Sequence, residues 1–122
     1  MGTKQRIMIL EDNVMMRSLL QTLLELENFQ VVCPDFPIVD TIKIIKDIDP
    51  AVILMDINLP NLNGITLMGE IRSSQELDHV KVIMCSGSDK KTESLNAGAR
   101  AYLMKPYMPD ELITLVKKII NE

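Results

Sequence analysis

A chain of 122 residues that is 47% hydrophobic can bury one sizeable core, so its composition excludes a disordered tail. Its net charge of −4 argues against a nucleic-acid-binding surface, because phosphate recognition needs a basic face. The longest apolar run, 51–55, is too short to span a bilayer, and the N-terminus lacks a secretion signal, so we expect a single cytoplasmic domain over residues 1–122.

Five short apolar runs predict β-strands, and longer segments with helical spacing separate them. The first, third and fourth runs are almost continuously apolar, which is typical of strands buried on both faces of a parallel sheet. The predicted strands are Ile7–Leu10, Gln30–Cys33, Ala51–Met55, Val80–Met84 and Arg100–Leu103.

Between the strands, apolar residues recur at i, i+3 and i+4, which predicts amphipathic helices. The fourth helix, around Asp89–Ala97, has only Leu95 and Ala97 as apolar anchors, and Gly98 should end it. The last helix should begin near Pro109. The four clear stripes are Met16, Leu19, Leu20, Leu23 and Leu26; Ile38, Ile42, Ile45 and Ile48; Ile65, Met68 and Ile71; and Leu112, Leu115, Val116 and Ile119.

The alternation of strand and helix predicts a doubly wound α/β fold, with a five-stranded parallel sheet flanked by five helices. In such a fold, ligands bind beyond the carboxyl ends of the strands, so the residues that follow each strand identify the candidate site. They are Glu11 and Asp12 after the first strand, Asp56 and Asn58 after the third, Ser86 and Gly87 after the fourth, and Lys105 and Pro106 after the fifth.

Three acids that meet at one edge would repel each other, and a hard divalent cation relieves that repulsion. An aspartate such as Asp56 can act as a nucleophile and form an aspartyl phosphate, a reaction that needs positive charge around the transferred group. Lys105 would supply a point charge, and the Ser86 hydroxyl would donate to the phosphoryl oxygens, with Gly87 leaving room beside it. These residues predict magnesium-dependent phosphoryl transfer to a carboxylate.

Five segments of the chain resemble the response regulator receiver family of two-component signalling systems, in its chemotaxis-regulator-like form. Each is weak alone, but all occur in order, and together they cover essentially the whole chain. The segments are Ile9–Asn13, Met55–Pro60, Asn63–Gly64, Cys85–Gly87 and Gly98–Pro106. The resemblance implies a flavodoxin-like, receiver-type fold and a phosphorylated signalling switch rather than a conventional enzyme.

The resemblance also implies a role for each acidic position. Asp56 matches the phosphoacceptor of the family. Asp12 matches the acid that binds Mg²⁺ directly, and Glu11 the acid that usually acts through water. Asn58 matches the residue whose backbone carbonyl completes the metal shell, and its side chain lies where the family tunes the lifetime of the phosphoryl group.

The remaining roles concern phosphate binding and switching. Lys105 matches the lysine of the family, and its peptide bond to Pro106 is usually cis there. Ser86 and Tyr102 match the switch pair, in which movement of the hydroxyl lets the aromatic ring turn inward; a plain packed aromatic is the alternative for Tyr102. The family also uses a conformationally responsive face made by helix four, strand five and helix five.

The resemblance implies two kinds of protein partner. A histidine kinase or phosphotransfer protein would donate the phosphoryl group, and an output domain or partner protein would bind the face made by helix four, strand five and helix five. Met104 and Met108 could be exposed partner contacts near that face. No direct nucleic-acid or membrane contact is expected.

A few positions depart from the commoner residues of the family. Glu11 stands where Asp is commoner, Ser86 where Thr is often found, and Gly87 where Ala is common. The segment 33–37 lacks the usual glycine, so the start of helix two is the boundary that the pattern defines least. None of these departures removes a required group, and an active site is therefore expected.

Two other functions remain as alternatives. A magnesium-dependent phosphohydrolase also uses an aspartate nucleophile, but it would need an acid two residues later, where this chain has Asn58, and usually a cap domain. A flavin-binding electron carrier has a similar topology, but Glu11 and Asp12 would repel the flavin phosphate.

Three further residues have structural interpretations. Cys33 and Cys85 end apolar runs and are interpreted as small buried hydrophobic residues rather than disulfide partners. His79, the single histidine, precedes the fourth strand and is interpreted as a loop residue rather than a phosphocarrier.

Overall fold

The computed structural model describes residues 4–122 of the chain. Its strands are β1 (Arg6–Leu10), β2 (Gln30–Val32), β3 (Val52–Asp56), β4 (Asn58–Leu59), β5 (Leu62–Asn63), β6 (Lys81–Ser86) and β7 (Ala101–Met104). Its helices are α1 (Val14–Leu26), α2 (Thr41–Ile48), α3 (Gly64–Arg72), α4 (Lys91–Asn96) and α5 (Pro109–Ile120), with one 3₁₀ turn at Gln75–Leu77.

Five strands form one parallel sheet in the order β2-β1-β3-β6-β7. The direction in which successive strands are added to the sheet reverses between β1 and β3. Ligands of open α/β sheets bind at such reversals. The prediction of a doubly wound, five-stranded parallel sheet flanked by five helices is confirmed.

The small antiparallel hairpin of β4 and β5 was not predicted. Its strands have two residues each, too few to show a period of two in the sequence. Asn61 turns the chain there with φ +57°, a left-handed conformation that asparagine tolerates. The hairpin joins β3 to α3.

Apolar layers cover both faces of the sheet. Met8 and Leu10 of β1 pack into the layer beneath α2 and α3, whereas Ile7 and Ile9 pack into the layer beneath α1 and α5. The alternation along β1 therefore gives the sheet two buried faces, which explains the continuous apolar runs in the sequence. Pro109 begins α5 as predicted.

The apolar stripe predicted for α1 was wrong in part. Leu20 and Leu24 are the buried residues, whereas Met16, Leu19 and Leu26 are exposed. Leucine pairs at 19–20 and 23–24 place two adjacent apolar stripes on this helix, and the sequence pattern does not say which of them meets the sheet.

Several predicted boundaries shift by one or two residues. β3 and β6 extend to Asp56 and Ser86, so these two polar residues belong to the strand ends themselves. α4 is shorter than the predicted 89–97, and its buried residue is Ser94, whereas Leu95 is 41% exposed. Ile38 precedes α2 and is not part of its helical stripe.

Candidate functional site

The carboxyl ends of four strands bring the candidate residues to one edge of the sheet. Asp56 ends β3 and lies opposite Cys85 of the neighbouring β6, and Ser86 ends β6. Glu11 directly follows β1, and Lys105 directly follows β7. Parallel strands in register therefore place groups from distant parts of the sequence side by side.

Lys105 joins two of the acids directly. Its Nζ lies 2.5 Å from Asp56 Oδ2 and 3.1 Å from Glu11 Oε1. Both acids are buried, with 8% and 5% of their surface exposed. Burial alone would lower the pKa of Lys105, but the hydrogen bonds that its ammonium group donates to the two carboxylates outweigh burial and raise the pKa above its ordinary value. The ammonium group therefore stays charged at neutral pH.

Three carboxylates form a cluster that has the donor chemistry of a metal site. Glu11, Asp12 and Asp56 each offer a ligand oxygen, and these oxygens all lie within 4.8 Å of one another. Oxygen donors suit Mg²⁺ or Ca²⁺ rather than zinc, which favours nitrogen and sulfur. Asp12 is exposed, so one side of the cluster opens to solvent. These residues therefore fit a hard divalent cation.

The loop after β3 is held close to the acidic cluster. The backbone N–H of Asn58 donates to Asp56 Oδ1 at 3.2 Å, and Gly64 N donates to Ile57 O at 2.8 Å. A Cβ at Gly64 would lie 2.8 Å from Ile57 Cα, so a side chain there would displace the loop. The Asn63–Gly64 motif thus has a positioning function that sequence reasoning did not assign.

The Ser86 hydroxyl is buried, but it is bonded to Ser88 rather than to an acid. It accepts a hydrogen bond from Ser88 N at 3.2 Å, and the two hydroxyl oxygens are 3.4 Å apart. The hydroxyl of the half-buried Tyr102 donates to the carbonyl of Ser88 and, at 3.4 Å, to that of Ser86. Ser88 therefore links the two candidate switch residues, a contact that no sequence motif indicated.

Gly87 and Pro106 lie at the margin of the site. Both are exposed, and the Lys105–Pro106 peptide bond is cis. Among residues 4–122, a Cβ at Gly87 would meet no heavy atom within 4 Å, so the protein leaves open space beside this residue.

A buried thiol lies beneath the acids. Cys85 is 2% exposed, and burial, followed by the negative charge of Asp56, raises its pKa to about 12. Cys33 is only half-buried, so it is less enclosed than the sequence suggested, and both cysteines are free. His79 lies two residues before β6, and its Nε2 is 2.6 Å from Asp49 Oδ1.

A groove of about 620 Å³ lies between α4, β7 and α5. Its apolar lining includes Leu95, Leu103 and Leu115, and charged residues such as Lys91 and Asp110 lie along it. Met104 and Met108 are 51% and 63% exposed.

None of the helices within residues 4–122 combines the length and apolar character that crossing a bilayer requires.

A known family and known proteins are similar to this chain over most of its length. The profile described as "Response regulator receiver domain" matches residues 7–117. The chemotaxis protein CheY of Bacillus subtilis is 28% identical over 119 residues, which cover 95% of this chain and 98% of that protein. The regulatory protein AtoC of Escherichia coli is 32% identical over 118 residues, but these cover only 25% of AtoC.

Solved structures share this fold over almost the whole chain. The receiver domain of the Francisella response regulator 1452 matches with a TM-score of 0.87 at 26% identity, over 97% of this chain and 98% of that one. The structure of a putative response regulator from Chloroflexus aurantiacus also gives a TM-score of 0.87, at 24% identity, and this likeness concerns the fold alone.

Proposed function

This chain belongs to the response regulator receiver domain family, and from that membership we propose that Asp56 accepts a phosphoryl group and so switches a partner-binding surface. The observation that carries the proposal is the contact of one lysine, Lys105, with two buried acids at the strand ends. A nucleophilic carboxylate beside a fixed positive charge is the arrangement that phosphoryl transfer to aspartate requires.

The proposed donor is the phosphohistidine of a histidine kinase or phosphotransfer protein. The P–N bond of the donor breaks as an Asp56 oxygen forms the new P–O bond, and the imidazole leaves as it takes up a proton. Lys105 stabilises the charge of the transferred group and then binds a phosphoryl oxygen. Hydrolysis of the acyl phosphate later returns Asp56 to its free form.

Magnesium is the metal that we propose for the acidic cluster. Glu11, Asp12, Asp56 and the backbone carbonyl of Asn58 would hold it, and the bound ion would neutralise negative charge at the phosphoryl oxygens. The open side at Asp12 leaves room for the water ligands that Mg²⁺ usually keeps.

The switch is proposed to act through Ser86 and Tyr102. A phosphoryl group on Asp56 would attract the Ser86 hydroxyl away from Ser88, and this change would alter the loop that also holds the Tyr102 hydroxyl. The equilibrium between two arrangements of the α4, β7 and α5 face would then shift.

The groove between α4, β7 and α5 is the proposed contact surface for an output domain or partner protein. Its apolar floor and charged margin resemble the general composition of protein interfaces. We further propose that residues 1–122 act as one receiver domain, in the cytoplasm, without binding nucleic acid or a membrane directly.

Intact mass after incubation with acetyl phosphate tests the proposal. With magnesium, the protein should gain one phosphoryl group, and with a chelator in place of magnesium it should gain little. Asp56→Asn should remove the gain while the fold persists. Asp47→Asn, which changes an exposed acid on α2, is the matched control and should be phosphorylated like the unaltered protein. An equal gain in Asp56→Asn would contradict the proposal.

A further inference from the structure

Arg72, the last residue of α3, makes hydrogen bonds to four backbone carbonyls. Its Nε donates to Gly98 at 3.1 Å, and its Nη1 donates to Leu77 at 3.3 Å and to Asp78 at 3.4 Å, while Nη2 donates to Val80. Gly98 follows α4, whereas the other three carbonyls lead into β6. One guanidinium group therefore ties the C-terminal end of α4 to α3 and to the sheet.

Gly98 allows this close approach. Its φ is +111°, a conformation that glycine adopts readily, and a Cβ there would overlap the Arg72 side chain. Backbone hydrogen bonds from Gly98 N to Leu95 O, at 3.1 Å, and from Ala99 N to Ser94 O, at 3.0 Å, complete the end of the helix. The C-terminal end of α4 is thus held by both side-chain and backbone contacts.

The N-terminal end of α4 is held by fewer contacts. Residues 87–93 are all exposed, and the Lys90 cap makes no side-chain hydrogen bond to the helix. Its side-chain contacts lie at the surface: Lys91 N donates to Asp89 Oδ1 at 3.3 Å, Lys90 Nζ lies 3.7 Å from Glu93 Oε2, and the Tyr102 hydroxyl donates to the Ser88 carbonyl. This end follows Ser86 directly along the chain, so it lies next to the phosphoryl-binding hydroxyl of the proposed site.

The middle of α4 contains a buried polar group with no partner. Ser94 is 0% exposed, and its Oγ makes no hydrogen bond to any group within residues 4–122. An unsatisfied buried hydroxyl disfavours the arrangement that buries it. The packing of α4 on the sheet is therefore weaker than an alanine at position 94 would make it.

We propose that Arg72 is a positioning residue for the switch: it fixes the C-terminal end of α4 at Gly98, and α4 turns about this end when Asp56 is phosphorylated. The unpartnered Ser94 hydroxyl keeps α4 weakly packed, so that a local change at Ser86 is enough to move it. This inference rests on the proposed function of Asp56.

Amide exchange measured residue by residue by NMR tests the pivot. The protein is studied alone and with magnesium and beryllium fluoride, which mimics a phosphoryl group. Exchange at residues 88–93 should change on addition of the mimic, whereas exchange at 98–100 should not. In Arg72→Gln the change should extend through residue 100, and Arg72→Lys should restore part of the difference. Arg17→Gln, which removes another arginine-to-carbonyl hydrogen bond far from α4, should behave like the unaltered protein.

Ser94→Ala tests the weak packing and does not depend on whether Arg72→Gln folds. Without the mimic, the α4 amides of Ser94→Ala should exchange about fivefold more slowly than those of the unaltered protein. The change in exchange rate that the mimic causes should then be smaller in this variant. Thr92→Ala is the matched control, because it raises helix propensity at an exposed position of α4 without removing a buried hydroxyl. An equal effect of both alanine variants would overturn the role of Ser94.

Intact mass after acetyl phosphate, measured on the same samples, separates the two proposals. No phosphoryl gain in the unaltered protein would overturn the proposed function and the pivot with it. The pivot alone would be overturned if the unaltered protein gained a phosphoryl group normally but amide exchange changed as much at residues 98–100 as at residues 88–93. The pivot would also be overturned if Arg72→Gln gained a phosphoryl group normally and the change in amide exchange stayed confined to residues 88–93.

Discussion

Lys105 is the residue on which the charge balance of the site depends. It contacts two buried carboxylates, and its raised pKa means that the folded state holds the proton more tightly than the unfolded chain. The stabilisation is therefore fully present below the ordinary lysine pKa of about 10.4 and is lost only as pH rises through the higher folded-state value. The contacts persist throughout the neutral range.

Replacing Lys105 by alanine should leave Asp56 and Glu11 without a cation. We expect the free energy of unfolding to fall by about 1–3 kcal/mol in the presence of a chelator. Magnesium should restore more stability to this variant than to the unaltered protein, because a bound cation compensates the same carboxylates. Urea denaturation with chelator or with magnesium measures both effects.

Lys43→Ala is the matched control for this experiment. It removes a lysine whose ion pair with Asp47 lies in solvent, and its stability should change little in either condition. A Lys105→Ala variant that responds to magnesium no more than Lys43→Ala does would count against a shared metal site at Glu11 and Asp56.

The two thiols should differ in reactivity. Burial raises the pKa of Cys85 to about 12, and burial also raises that of the half-buried Cys33. At pH 8, iodoacetamide should alkylate Cys33 slowly and leave Cys85 intact in the folded protein, whereas both should react in urea. The unfolded chain releases the thiol proton near pH 8.5, whereas Cys85 in the folded protein keeps its proton to higher pH. The free energy of unfolding should therefore fall progressively above pH 8.5. Equal labelling of both thiols in the folded protein would refute this.

At the scale of elements, α1 shows what an apolar pattern does and does not determine. The sequence predicted the helix, but Leu20 and Leu24 are buried, whereas Leu26 of the predicted stripe is 75% exposed. The choice depends on where the sheet lies relative to the helix, which is a tertiary property. The Asn13 side chain, which accepts from Met16 N at 2.9 Å, fixes where the first turn begins.

Two leucine variants distinguish the faces of α1. Leu24→Ala should lower the free energy of unfolding by about 2–5 kcal/mol, because it leaves a cavity beneath the helix. Leu26→Ala should change it by no more than about 0.5 kcal/mol. Urea denaturation measures both values, and a cost for Leu26→Ala as large as that for Leu24→Ala would mean that the helix packs by its predicted stripe.

The fourth helix was predicted to be poorly anchored, and the structure gives this a specific cause. The sequence identified few apolar residues there, but it did not indicate that Ser94 would be the buried residue. The contact between Ser88 and the candidate switch residues was equally invisible, because it depends on the path of the loop after β6. Loop contacts have no periodicity from which they could be predicted.

At the scale of the whole molecule, the sequence was most informative where one rule of topology applied. Residues that follow parallel strands meet at one edge, and this rule predicts that Glu11, Asp12, Asp56 and Lys105 lie together, as they do in the structure. The β4–β5 hairpin and the hydrogen-bonding state of Ser86 required the structure, because both depend on contacts between segments that carry no sequence period.

The position of the phosphoryl group tests most directly whether Asp56 is the phosphoacceptor. The protein is treated with acetyl phosphate and magnesium, reduced with borohydride, which converts an aspartyl phosphate to homoserine, and then digested for mass spectrometry. We expect homoserine in place of Asp56 and no modification of Asp12 or Glu11. An unmodified Asp56, with a stable phosphoryl group on Ser86 or His79 instead, would contradict it.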